Sequence, residues 1–476
     1  MKSKDILITI VLIVTANLVS AYTNGIPADA YREVIADAPW RIEPNVNNIP
    51  ILIFISDAQA ETLVGDDMFS TFYQLRNVEI SYNGKLIKNV TFNKNISNEG
   101  YGLIYNDAWS TILNVPISGN YLDGGEYNFR NKTVGLHIRI NGDVIPVELP
   151  LLRIDDNREY DLTITVGSKE LPKFDNWYCG DTHYHTIYTD NPTPDITIFL
   201  DSWGELGAPI DTVVESGKAI GLDWVTATDH GWEMTDEKWS GPLGLKNVCG
   251  NHGGDNFVCI PSEEFACLWL PPLRIDTSHY LVYNPNNYVE KYQHSCVDIV
   301  QNLNANGYVG YVAHPEATDI SFGIILRKWK DYSLPLNGLE VWNIESEIGN
   351  LEEGLKEYDR ALMNNLSRRI FISGGSDAQG NFNTGFGKPR TCCYMTSNTR
   401  DNILGALRNG HCFFGNGPAL KFTINGRQIG DTVNIVDGEN ISMNIEWKST
   451  EEFDKVDKTN TMSRIVFICC LKEEEK

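Results

Sequence analysis

Two hydrophobic periods divide this chain. From residue 22 to about 170, apolar side chains recur at every second position. Val78, Ile80 and Tyr82 alternate with Glu79 and Ser81 ahead of Asn83-Gly84. Val134, Leu136, Ile138 and Ile140 alternate with Gly135, His137 and Arg139 ahead of Asn141-Gly142. A period of two puts one set of side chains on a single sheet face, and Asn-Gly between such runs is a strong hairpin signal. The expectation for 22–170 is a β-sandwich domain, used as a shell or a binding module. The same period returns over 417–476, with a third hairpin at Asn425-Gly426 and alternation at Ile441, Met443, Ile445 and Trp447. Ile465 to Leu471 is a last strand candidate before a charged tail. This C-terminal β-rich region reads as an incomplete sandwich.

Between them, over 173–416, short apolar runs alternate with helical patterns. Ser295 to Asn306 carries Val297, Ile299, Val300 and Leu303 on one face, with Gly307 as a stop. Leu351, Leu355, Leu362 and Leu366 line a longer amphipathic helix. Strand–helix alternation implies an α/β fold with a mostly parallel, barrel-like sheet.

The apolar runs of this middle region end in ligand-type side chains. His183 and His185 sit at i and i+2, which on a strand places both imidazoles on one face. The run from Leu222 to Thr228 ends in Asp229-His230, and that from Phe257 to Ser262 ends in Glu263-Glu264. His279 opens a run, and Tyr308 to Ala313 leads into His314-Pro315-Glu316. Gly338-Leu339 leads into Glu340, and Ile370 to Ser376 ends in Asp377. Functional groups at successive strand ends are the mark of a β/α barrel active site, and a metal cluster is the simplest reason to gather so many imidazoles and carboxylates.

Six motifs in order resemble the PHP (polymerase and histidinol phosphatase) family. They are G-D-T-H-Y-H-T followed by Asp190-Asn191, A-T-D-H-G at 227–231, I-P-S-E-E at 260–264, A-H-P-E at 313–316, E-V-W-N at 340–343 and G-G-S-D-A at 374–378. G-K-P-R-T at 387–391 and G-N-G-P at 415–418 are similar to the exported carbaryl-hydrolase-like branch. The resemblance implies a distorted β/α (TIM-like) barrel and a metal-dependent hydrolase, most simply a phosphoesterase using a metal-activated hydroxide. Carried over by position, the metal ligands would be His183, His185, Asp190, His230, Glu264, His279, His314 and Asp377. Glu264 is preferred to Glu263 because the family has its glutamate three residues after the proline. Where the family usually ends S-D-x-H, this chain has Gln379. A neutral amide is a poor ligand beside imidazole, so two or three divalent ions (Zn, Mn or Fe) are expected. Asp229 and Glu340 are the candidate catalytic groups, with Asp229, Asp181, Glu340 and Glu316 also able to orient a ligand from behind. Arg274, Lys388 and Arg390 are candidates for binding an anionic substrate. The remaining histidines read as bland: His137 on a solvent-facing strand, His252 in a glycine-rich loop, His294 and His411 on the surface. Carbamate, amide or carboxylic ester hydrolysis is a close variant of the phosphoesterase reading. A non-catalytic surface binding protein on a decayed barrel is the alternative class, and Gln379 is the feature that speaks for it.

Composition narrows the setting. The 476 residues exceed one small domain, and 42% hydrophobic content is that of a globular protein. A formal charge of −24 argues against a nucleic-acid-binding surface, which needs basic stripes, and disfavours docking on anionic lipid. Lys2 and Lys4 precede the apolar run Ile6 to Val14, and Val19-Ser20-Ala21 offers small residues for cleavage. Residues 1–21 therefore read as a secretory signal peptide, with a soluble, secreted or extracytoplasmic mature chain, no transmembrane segment after its removal, and a small-molecule or phosphoester substrate. Ten cysteines suit disulfides in such a compartment. Cys249 and Cys259 are close enough to close one loop, and the adjacent pairs Cys392-Cys393 and Cys469-Cys470 need separate partners because neighbours on a strand face opposite ways. Asn89, Asn95, Asn131, Asn365 and Asn440 begin N-x-S/T sequons, which matter if the host glycosylates.

Overall fold

The computed structural model describes residues 32–57, 71–97, 108–146, 153–189, 207–231, 234–252, 256–268, 277–289, 295–317, 328–343, 351–364, 369–436 and 438–454. The signal-peptide reading, Asp190, Arg274, His294, Asn365 and the Ile465–Leu471 strand candidate lie outside these residues. The fold is mixed α/β and mostly strands.

The N-terminal region forms two antiparallel sheets. Arg32–Asp37, Asn48–Asp57 and Ala108–Pro116 make one. Thr71–Tyr82, Lys85–Ser97, Thr133–Pro146 and Arg158–Val166 make most of the other, with Arg41–Ile42 added in parallel at its edge. Ile49, Ile51, Ile53 and Ile55 from the first sheet share one buried cluster with Val78, Ile80, Leu136, Ile138 and Ile140 from the second. The alternate residues Leu52 and Phe54 point the other way, into a cluster with Ile210, Val213 and Tyr184 of the following region. Period two thus lets one strand join two cores. The hairpin at Asn83-Gly84 forms, both residues taking positive φ (51° and 72°), as the mirror-image turn requires. Asn425-Gly426 does the same (48° and 74°) in the small sheet of Ala419–Ile424, Arg427–Gln428 and Met443–Lys448. Asn141-Gly142 does not turn. The strand Thr133–Pro146 runs straight through it. Gly142 is instead a close-approach glycine, since a Cβ there would lie 2.1 Å from Cζ of Tyr73.

The middle region curls into one nearly closed, barrel-like sheet. Its order is Phe371–Gly375, Gly338–Asn343, Val309–Val312, Thr277–Tyr283, Val258–Leu268, Trp224–His230 and Trp177–His185, followed by Arg390–Tyr394 and Cys412–Gly415. The first and seventh of these meet without a described ladder. Thr182 Oγ1 donates to Gly374 O, and Asp377 N to His183 O. The sheet is mostly parallel as expected, with one exception among those seven. Thr277–Tyr283 runs antiparallel to both neighbours. Its predecessor Val258–Leu268 continues past Glu264 to pair with it, so Glu264 sits within a strand rather than at its end.

Inward residues repeat every second position. Trp224, Val258, Ile260, Leu281, Tyr283, Val309 and Tyr311 form a buried cluster, sealed below by Ile403, Ala406 and Leu407 of the helix Arg400–Asn409. Continuing each row by an even step reaches His230, Glu264 and, on the reversed strand, His279. The apolar stack is therefore the floor of the candidate site.

The helix Cys296–Ala305 forms where expected, capped by Ser295 Oγ accepting from Asp298 N. It buries Ile299, Val300 and Leu303, while Val297 is half-buried. The helix Leu351–Asn364 buries Gly354, Glu357 and Ala361, while Leu351, Leu355 and Leu362 are half-buried and Leu366 lies outside the described residues. A Cβ at Gly354 would stand 2.1 Å from Val341 O, so the helix rides directly on the strand backbone and its leucines flank the contact. Glu357 is held by Tyr332 Oη at 2.8 Å and Lys328 Nζ at 2.6 Å.

Among the described residues, four disulfides join Cys179 to Cys392, Cys249 to Cys259, Cys267 to Cys296 and Cys393 to Cys412. Cys392 and Cys393 take separate partners, each directly opposite in its ladder, so the two bonds staple three neighbouring strands from opposite faces. Cys469 and Cys470 lie outside the described residues. Four bonds suit an oxidising, extracellular setting. Among the described residues no helix is long and apolar enough to cross a membrane.

Candidate metal centre

His183 and His185 point inward from the end of Trp177–His185, with Nε2 atoms 3.2 Å apart. Asp377 Oδ1 lies 3.0 Å from the first and 2.8 Å from the second. Glu264 Oε2 completes this group at 3.6 Å and 3.4 Å from the two nitrogens, and it lies 3.3 Å from His230 Nε2. The other oxygen of the same carboxylate, Oε1, lies 2.7 Å from His279 Nδ1 and 3.0 Å from His314 Nε2. Glu264 is thus common to two groups that could each hold an ion: His183, His185, Glu264 and Asp377, and Glu264, His279 and His314.

Groups behind the ligands decide their tautomers. Glu340, fully buried, faces His183 Nδ1 at 3.0 Å and 3.2 Å. A carboxylate only accepts, so Nδ1 carries the proton and Nε2 presents a lone pair. Thr189 Oγ1 donates to Asp229 Oδ1 at 2.9 Å and stands 3.0 Å from His185 Nδ1. Its hydroxyl proton being committed, it accepts from His185, whose Nε2 is also bare. Two lone pairs and two carboxylates then converge at 2.8–3.6 Å with no donor between them. Acceptors crowd in this way around a cation. A tetrahedral ion with bonds of ~2.0–2.1 Å separates its ligands by about 3.3 Å, so the donor set fits a divalent metal.

Electrostatics agree. Burial alone would pull the His183 imidazole down, but Asp377, Glu340 and Glu264 together hold it well above its ordinary value. Burial alone would raise Glu264 and Asp377, yet the surrounding imidazoles hold both well below the usual carboxylate range. Positive charge is required here, from protons or from metal. His314 and Asp377 also adopt left-handed backbone (φ 26° and 55°), which side chains rarely tolerate and which concentrates at functional sites. Asp181 pins the Asp377 loop, accepting from Ser376 N, Gly387 N and His183 N, while burial pushes its carboxyl up to about 6.

Of the sequence candidates, His183, His185, His230, Glu264, His279, His314 and Asp377 come together, with Glu340 directly behind them. Asp229 acts through Thr189 and Thr186, and does not face the convergence point. Glu263 faces away, accepting from Val289 N, and burial raises it to about 8. Burial likewise raises Glu316, beside His314, to about 7. Two basic candidates are elsewhere. Lys388 Nζ lies 3.8 Å over the Trp40 ring, and burial lowers it to about 8. Arg390 is buried, donates to Gly417 O and lies over the Phe453 ring. Both serve packing of the flanking regions against the barrel. His137 and His411 pair with exposed Asp161 and Asp431, and His252 pairs with Asp211, as surface histidines do.

Sequence reasoning missed Asn343 as a site residue. Its Nδ2 donates to Asp377 Oδ2 at 2.8 Å and reaches Glu340 Oε2 at 3.3 Å. Glu340 and Asn343 are three apart, which puts them on opposite faces of a regular strand. The ladder slips between Glu340 and Trp342, and this irregularity turns Asn343 inward.

No protein-family model matches the chain, and no curated protein does. It is similar to a two-domain protein containing a predicted PHP-like metal-dependent phosphoesterase from Bacteroides vulgatus, at 17% identity over 52% of this chain and 67% of that one, with a TM-score of 0.36. It is also similar to a candidate metal-dependent phosphoesterase from Bifidobacterium adolescentis, at 13% identity over 44% of this chain and 90% of that one, with a TM-score of 0.29. Likenesses this partial leave the function to the site itself.

Proposed function

We propose that this chain is an exported metal-dependent hydrolase of the PHP type, acting most simply on phosphoesters. The observation that carries the reading is Glu264, whose two carboxylate oxygens divide between two ligand groups. A carboxylate shared in this way suits a pair of divalent ions, Zn, Mn or Fe by donor type. When bound, such a pair would supply an acidified water and polarisation of the bond to be broken.

The chain's own residues do the rest. Glu340 and the Thr189–Asp229 pair fix the tautomers of His183 and His185, so each neutral ring presents Nε2 to the convergence point. Asn343 steadies Asp377. The stack of Trp224, Ile260, Tyr283 and Tyr311 closes the barrel below and excludes water from that side. The six motifs and their order favour the PHP reading, G-K-P-R-T and G-N-G-P favour the carbaryl-hydrolase-like branch, and the basic-apolar leader with four disulfides favours export. The shared core of the first two sheets supports a sandwich domain over 22–170, with a TIM-like barrel over 173–416.

Turnover of a chromogenic phosphodiester and monoester, set against a naphthyl ester, tests the reaction class. Phosphoester turnover that is lost on chelation and restored by Mn or Zn is expected. Ester turnover alone would move the assignment to carboxylic ester hydrolysis, and full activity in stripped protein would end the metal reading.

A further inference from the structure

A cavity of about 310 Å³ lies where the N-terminal sheets meet the barrel. Its walls continue the strand ends that carry the candidate ligands. Gln379-Gly380 follow Asp377, and Gln379 pairs with His185 in the ladder. Gly207-Ala208 lie against Thr186, the residue after His185, so closely that a Cβ on Gly207 would meet Thr186 O at 2.0 Å. The opposite wall is Ile35, Leu52, Phe54 and Leu162 from the two N-terminal sheets.

We propose that this cavity is a binding subsite for an uncharged, one- or two-ring organic group, the non-reacting part of the substrate. The proposal rests on the hydrolase reading for its role, and on the cavity for its chemistry. The floor is apolar. The polar groups around it are the carboxylates of Asp37 and Asp161, the hydroxyls of Tyr160 and Thr384, and neutral amides, and the described lining holds no Lys or Arg. Such a lining repels an anion and accepts a flat apolar body with a hydrogen-bond donor. Volume and position, at a junction between structural units, are those of small-molecule sites. The N-terminal sheets then have a task beyond shielding, since they complete the site.

Calorimetry on the full chain tests this, with indole as probe and indole-3-acetate as its anionic counterpart, in metal-loaded and metal-stripped protein. Indole should bind similarly in both states, and the anion more weakly. Ile35→Trp fills the cavity from the first strand, and Thr384→Trp fills it from the exposed rim. Each should weaken indole at least about tenfold and raise KM for an indolyl phosphate more than it lowers kcat, with metal content unchanged. No binding of indole, or binding unchanged in both Trp variants, would overturn the proposal. Cavity-dependent indole binding without any turnover would instead keep the binding site and remove the hydrolase reading, so the two failures are distinct.

Discussion

Glu340 governs what His183 can do. Its carboxylate receives His183 Nδ1–H, accepts from His314 N and is reached by Asn343. Glu340→Gln keeps the volume and one acceptor but removes the charge. Metal affinity should fall about 10–100-fold, read by competition with a chelator, while the fold persists. An unchanged affinity would mean that the imidazole is oriented by its strand alone. His183→Ala should be more severe, abolishing turnover and bound metal together, because no neighbour can supply the missing nitrogen. Gln379→Ala should leave metal content intact, since an amide contributes little to a hard or borderline cation. Metal loss as large as that of His183→Ala would make Gln379 a ligand. Activity should also fall on the acid side, as protons compete for the imidazoles.

At the scale of elements, regular alternation was readable and its interruptions were not. The inward rows that reach His230, Glu264 and His279 follow period two, so their convergence could be foreseen from spacing and motif order, whereas His314 is an odd step past Tyr311 and turns inward on left-handed backbone. Asn343 escaped because a strand irregularity carries it to the other face. Asn141-Gly142 misled because the same dipeptide serves as a turn or as room for a neighbouring ring, and only the packing of Tyr73 decides. The reversed strand Thr277–Tyr283 left no mark in composition, since its buried residues alternate identically in either direction. Lys388 and Arg390 looked like substrate groups because sequence gives charge but not burial. The helix Leu351–Asn364 offers a direct check. Gly354→Ala places a methyl against Val341 O and should destabilise the protein by about 1–3 kcal/mol in thermal unfolding, although alanine is the better helix former. Stabilisation would show that the helix can lift off the strand at no cost.

At the scale of the molecule, one buried carboxylate joins the N-terminal sheets to the loop after Asp377. Asp37 accepts from Ala38 N, Phe382 N and Asn383 N, and burial still pushes it up to about 6. A carboxyl raised in the folded state holds its proton more tightly there than in the unfolded chain. Its contribution to stability is full below its ordinary value of 3.8 and is lost as pH rises through about 6. The melting temperature of the wild type minus that of Asp37→Asn should therefore fall between about pH 4 and about pH 7, and a difference that stays flat or rises would contradict this. That junction, the disulfide-stapled strands and the barrel floor all hold one carboxylate between two sets of imidazoles. Counting divalent metal per chain by elemental analysis, for wild type, Glu264→Gln and His279→Ala loaded under one buffer, tests this arrangement most directly. About two ions are expected in the wild type, about one after His279→Ala, and little after Glu264→Gln, because both groups lose their common ligand. A wild type that takes up no metal, or a Glu264→Gln protein that keeps the wild-type count, would contradict it.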